Sequence, residues 1–226
     1  MGLAIVDVVN DALASLGEQP IVNLDKNNAT STAILIRQKY PLVLRSLLLE
    51  ADWNCARFTA KLACISSYGY GGYKYVYQLP TDPECLHVVQ ISLDGGKTYI
   101  DLNAYYNWNS GPKKALFDID KNFLLCNSNP VYIKYTGAVG VSSLDPLVAS
   151  AFSSMLATEL AYAVTASVTL YQQLFNISRR KLAKAKSRNA LDRNIRRGEG
   201  DAIAVRYPLG YNTTTDEQNR QSGGYQ

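Results

Sequence analysis

Nine of the chain's 23 lysines and arginines fall within nineteen residues: Arg179, Arg180, Lys181, Lys184, Lys186, Arg188, Arg193, Arg196 and Arg197. Asp192 is the one acid among them, so the stretch carries +8 while the whole chain carries +4. The rest is therefore net −4: a mildly acidic body with one strongly basic element near its end. Charge gathered this way faces a polyanion, an acidic protein surface or solvent. On nucleic acid it would neutralise phosphates and give steeply salt-dependent binding. The stretch has no aromatic residue to stack on bases, and no helix-turn-helix pattern precedes it. An acidic protein surface suits it equally well.

Other chemistry is sparse. His87 is the only histidine, and Asp82 and Glu84 are its nearest acids in sequence. That trio is the best candidate for a hydrolytic site, but no Gly-x-Ser-x-Gly supports it. Asp94, Asp101, Asp118 and Asp120 read as turn formers and solvated face. Gly69–Gly72 lacks the Lys-Ser/Thr of a phosphate loop. Cys55, Cys64, Cys85 and Cys126 form no Cys-x-x-Cys pair and read as buried free thiols. No enzyme, metal or cofactor is expected from these residues.

The elements that must position the basic stretch follow from periodicity and caps. An amino-terminal helix runs through Leu3, Val6, Val9 and Leu13 and stops at Gly17. A second is expected from Asn27 or Asn28, with an apolar face of Ala33, Ile36, Tyr40, Val43, Leu44 and Leu47, kinked or divided by Pro41. Asp52-Trp53-Asn54 follows as a new turn or short helix. From Phe58 the pattern becomes short strands: 73–79, 86–93, 98–102, 115–119, 122–126 and 131–135, with a hairpin signal at Asp94-Gly-Gly. Tyr68, Tyr70 and Tyr73 lie in a Gly-rich loop. Helix returns at Asp145, with Pro146 as its first residue, and 146–165 is rich in Ala, Ser, Leu and Val on nearly all sides, as a buried helix would be. A last helix starts near Ser167. Its apolar stripe thins through the basic stretch, so that half is expected to leave the core, reaching roughly 28 Å if fully extended as helix. Residues 201–226 are poor in apolar side chains; Ile203, Val205 and Tyr207 belong to its apolar islands and could order an arm against a partner.

The expected fold is α+β. A four-helix bundle (1–57 and 143–197) carries an inserted small antiparallel β domain (58–142) and an extended carboxy-terminal arm (198–226). No apolar run approaches the ~20 residues that cross a bilayer, so no membrane contact is expected. With Asp7 and Asp11 in the first helix and no basic region before it, no signal peptide is read and synthesis in the cytoplasm is the default. Sixteen tyrosines, against five phenylalanines and two tryptophans, favour surfaces that become interfaces.

Three segments, in this order, resemble the tail tubular protein A, or head-to-tail adaptor, family of short-tailed phages. They are Val9–Glu18 with Ile21–Leu24, Tyr40–Leu48 with Asp52–Ala56, and Tyr75–Asp82 with Cys85–Val88. The likeness covers residues 9–88 and extends in layout to the helical return at Asp145. It implies a structural virion protein made in the host cytoplasm, a homo-oligomeric ring of about twelve copies beneath a portal protein. The ring would extend the DNA channel, receive the tail nozzle and adjoin tail fibres. On that reading the nine cations with Ile203, Val205 and Tyr207 dock the portal or face DNA in the channel. Tyr68, Tyr70 and Tyr73 meet nozzle or fibres, and Trp53 and Pro146 are structural. The competing reading is a nucleic-acid-binding protein using residues 179–197.

Overall fold

The computed structural model describes residues 4–25, 30–67, 70–102 and 117–197, with side chains described as far as Arg193. By compactness the chain divides into Met1–Asn189 and Ala190–Gln226; of the latter, only helix as far as Arg197 is described. The arm expected over 198–226, with Ile203, Val205 and Tyr207, lies outside the described residues, as does Tyr68.

Among the described residues the α-helices are α1 (Ile5–Leu16), α2 (Ser31–Leu49), α3 (Pro146–Thr165) and α4 (Val168–Arg197). α1 ends as its sequence dictates. Gly17 takes φ 76°, the left-handed conformation that glycine adopts without a Cβ penalty, and its N–H and that of Glu18 close on Ala14 and Leu13 carbonyls. Asn10 then holds the loop that follows, exchanging two hydrogen bonds with the Ile21 backbone at 2.9 and 3.0 Å. The cap of α2 is Thr30, whose Oγ1 accepts from the Ala33 N–H, in place of the expected Asn27 or Asn28. Pro41 does not divide α2: it sits on the exposed side, where water can meet the carbonyl its ring leaves unbonded. α3 begins at Pro146, where the fixed proline φ suits a first helical residue.

The expected four-helix bundle is not what forms. α1 and α2 pack against α3, and the strand region shares the same core: Leu86 and Val139 pack on it beside Val9, Leu13, Leu47 and Phe152. α4 gives this core only Leu174 and Ala185 as buried apolar residues. The remaining buried positions on its inner face are Ser178 and Asn189, too small and polar to build a fourth bundle wall. α3 is buried along most of its length, with Ala151, Phe152, Leu156, Ala157 and Leu160 inaccessible. Contrary to the sequence expectation, its length and hydropathy would also suit a bilayer. Here 61% of its most apolar window is buried by the rest of the fold.

Among the described residues the strand region forms two four-stranded antiparallel sheets where one was expected. Its strands are β1 (Arg57–Lys61), β2 (Cys64–Ser66), β3 (Tyr75–Gln78), β4 (Cys85–Ser92), β5 (Ile100–Asp101), β6 (Phe117–Asp120), β7 (Phe123–Cys126) and β8 (Tyr132–Gly137). The orders are β1-β8-β4-β5 and β2-β3-β7-β6, and both sheets feed one core containing Tyr77, Ile91, Leu124, Ile133 and Tyr135. Gly137 permits the closest approach in the first sheet, since a Cβ there would come within 2.7 Å of the Phe58 ring. Of the four cysteines only Cys126 is buried outright, while Cys64 is exposed, which corrects the reading of all four as buried.

The β4–β5 turn is organised by one side chain. The Asp94 carboxylate accepts from the Lys97 and Thr98 N–H groups at 3.0 Å and from the hydroxyls of Ser92 (2.7 Å) and Thr98 (2.5 Å). Gly95 and Gly96 take the positive φ values this turn needs. The Thr98 hydroxyl and N–H, then the Ser92 hydroxyl, hold the Asp94 carboxyl well below the usual aspartate range. A depressed folded-state pKa adds stability that is fully present above the unfolded value of about 4 and lost as pH falls through the folded one. Thermal unfolding of wild type and Asp94→Ala should therefore differ at pH 7, and the gap should close in acid below pH ~4.

Candidate functional site

The basic stretch lies on α4, and its geometry is set by the opposite face of that helix. Leu174, Ser178, Ala185 and Asn189 recur at helical spacing and are all buried. Asn189, 8% exposed, is the firmest attachment. Its Oδ1 accepts from the Asn54 N–H at 2.8 Å, its Nδ2 donates to the Asp52 carbonyl at 2.9 Å, and the Asn54 amide returns a bond to the Asn189 carbonyl at 3.2 Å. One turn earlier Lys186 pairs with Glu50 at 2.7 Å. The expectation that the basic half leaves the core is thus corrected: it is held to the body as far as Asn189.

The receiving joint is itself braced. Trp53 is fully buried and its Nε1 donates to the Leu47 carbonyl at 2.7 Å. The Asp52 carboxylate accepts from Arg57 Nε at 2.9 Å and pairs with the same guanidinium. Residues 52–54 therefore carry α2 into β1 and fix the rotation of α4 about its axis.

That rotation decides which cations face outward. Arg180, Lys184 and Arg188 are all exposed and repeat every four residues, so they form a stripe with about 6 Å of rise between neighbours. Arg179 stands over the Phe175 ring at 5.8 Å, and Phe175 stacks on Tyr171 at 6.2 Å between centroids. Lys181 is half-buried. Arg193 belongs to the second unit and is half-buried, while Arg196 and Arg197 lie on helical backbone with side chains outside the described residues.

The other sequence candidates are dispersed. Tyr70 and Tyr73 flank a two-glycine turn, bonded to each other through both backbone pairs at 3.0 Å. Gly71 and Gly72 both have positive φ, the conformation a two-residue hairpin requires. Tyr70 is exposed and Tyr73 half-buried. Glu84 pairs with Arg45 of α2, so it ties the helical layer to the start of β4. His87 is exposed on β4, and Asp82 precedes the cis peptide to Pro83. None of the three lines either of the grooves that flank α3. Among the described residues no three His, Cys, Asp or Glu side chains gather as metal ligands would. Burial pushes the Cys85 thiol up to about 11 and also raises those of Cys55 and Cys126.

Two open grooves flank α3. One, of about 250 Å³, is lined by Lys39, Leu42 and Val43 of α2, Met155 of α3, and Phe175 and Ser178 of α4. The other, of about 220 Å³, is lined by Asp7, Val8 and Asp11 of α1 with Ala149, Ser150 and Ser153 of α3. Sequence reasoning singled out neither, because each depends on which helix faces meet. Comparison of the chain with protein-family models and with curated proteins gives no match.

Replacing Asn189 by Ala leaves the Asn54 N–H and Asp52 carbonyl without their partner. A buried polar group so orphaned costs about 1–3 kcal/mol. Asn189→Ala should lower the denaturant midpoint accordingly, whereas Lys186→Ala, which loses only an exposed ion pair, should change stability by less than about 1 kcal/mol.

Proposed function

We propose that this chain is a ring-forming adaptor subunit of a short-tailed phage virion, docking on a portal ring and extending its DNA channel toward the tail nozzle. The observation that carries this reading is the pinned basic helix. Arg180, Lys184 and Arg188 stand exposed in one stripe on a helix whose other face is hydrogen-bonded to the body. Such a stripe is a fixed electrostatic template, because its backbone need not be ordered on binding. A partner with acids at matching spacing gains charge-assisted contacts at a reduced entropic cost. The adaptor-like segments at residues 9–88 support the same reading, since they include the Asp52–Asn54 joint that receives Asn189.

The nine cations would then divide by position. The outward stripe meets the portal, and Lys186 serves the fold through Glu50. Tyr70, exposed at the tip of its hairpin, is available to nozzle or fibre.

The test is co-assembly with a portal ring, viewed by electron microscopy, for wild type and for the triple variant Arg180→Glu/Lys184→Glu/Arg188→Glu. Wild type should give ring-on-ring particles, and the variant should lose docking while keeping its circular dichroism. Duplex DNA supplies the opposing outcome. Tight binding that weakens with a log–log salt slope of about −0.9 per phosphate, lost in the variant and accompanied by no portal docking, would replace the adaptor reading with a nucleic-acid-binding one.

A further inference from the structure

The grooves beside α3 lie on opposite sides of it. At about 100° per residue, Pro146, Ala149, Ser150 and Ser153 point one way, and Met155, Thr158 and Glu159 stand half a turn from them. Two unlike faces on opposite sides of a subunit are the geometry that head-to-tail contact between copies requires. Such contact closes into a ring when the rotation allows.

The chemistry of the two faces is complementary. On the α2/α4 side the rim is apolar and protruding: Leu42 is 65% exposed and Phe175 43%. Burying both against a partner would remove their apolar surface from water. Lys39 and Glu159 pair across this groove at 3.4 Å and cancel. Arg179 forms no ion pair among the described residues and is aligned on Phe175. With the groove's own Lys39 and Glu159 cancelling, Arg179 beside Phe175 leaves a balance of one positive charge among these groups. On the α1/α3 side the floor is small, with Ala149, Ser150 and Ser153, and the charged groups are Asp7 and Asp11. The Asp11 carboxylate accepts from the Ser153 hydroxyl at 2.5 Å, which fixes its position at the groove while leaving its charge in place.

We infer that the Leu42–Phe175 rim of one copy enters the small-residue groove of the next, bringing Arg179 onto Asp7 and Asp11. This rests on the ring reading above and assigns its lateral interface. The stacked order Tyr171, Phe175, Arg179 reduces the side-chain freedom lost on docking. The interface uses a different stripe of α4 from Arg180, Lys184 and Arg188, so one helix serves a neighbour and a portal at once.

The experiment is charge exchange in the full chain, read by sedimentation velocity over a concentration series without portal. Asp7→Lys and Arg179→Glu should each weaken self-association at least tenfold, and the double variant should recover most of the loss. Leu42→Glu, at an exposed position, should weaken it too while leaving circular dichroism unchanged. Self-association indifferent to all three substitutions, or a double variant as weak as the singles, overturns this interface and leaves the ring reading standing. A wild-type chain that stays monomeric throughout the series, and forms no ring on a portal, overturns both.

Discussion

The attachment of Asn189 to the Asp52–Asn54 joint is the constraint on which the presentation of the basic helix depends. A helix carrying so many like charges would be driven from an apolar body by self-repulsion and by the cost of desolvating cations. It stays because its inner face asks little of the core. Ala185 is small, Ser178 bonds back to the Phe175 carbonyl at 2.9 Å, and Asn189 satisfies both ends of its amide. Bidentate amide bonds to backbone are directional, so they fix the helix's rotation as well as its position. Lys186 and Glu50 add an exposed pair of small energetic weight.

The joint also couples the two kinds of layer. Trp53 fills the helical core, Arg57 opens β1 and closes on Asp52, and Arg45 meets Glu84 at the start of β4. Strands and helices therefore share one structural frame. A charge pattern displayed on α4 is held by contacts that begin in α2 and end in β1. That coupling is the physical content of the adaptor proposal: a template for a partner must be rigid before the partner arrives.

Much of the fold was legible locally and less of it globally. Gly17 marked a helix end because few other residues accept its left-handed conformation, and Asp145-Pro146 marked a helix start because proline's fixed φ and missing N–H suit the first helical position. Asp94-Gly95-Gly96 marked its hairpin for the same reason as Gly17. β1 and β2 were missed. Arg57–Lys61 alternates Phe58 and Ala60 with polar residues over only five positions and is at most half-buried, and Cys64–Ser66 spans three residues, so both patterns are too short to stand out. The division into two sheets depends on pairings between distant strands, such as β1 with β8. The four-helix bundle failed because a helical period was equated with a bundle wall. Likewise, an apolar stripe that thins after Leu182 suggested a helix leaving the body, since the polar anchor Asn189 carries no hydrophobic signal. The cations were evident from the start; which of them face outward followed only from the anchor.

The most direct measurement of this account is residue-resolved hydrogen exchange along α4 in the free protein. Amides from Leu174 to Asn189 should exchange with the protection of the helical core, because opening them breaks the Asn189 bonds to residues 52–54. Amides of residues 179–189 that exchange as fast as a solvated helix, while α3 remains protected, would contradict an anchored basic template.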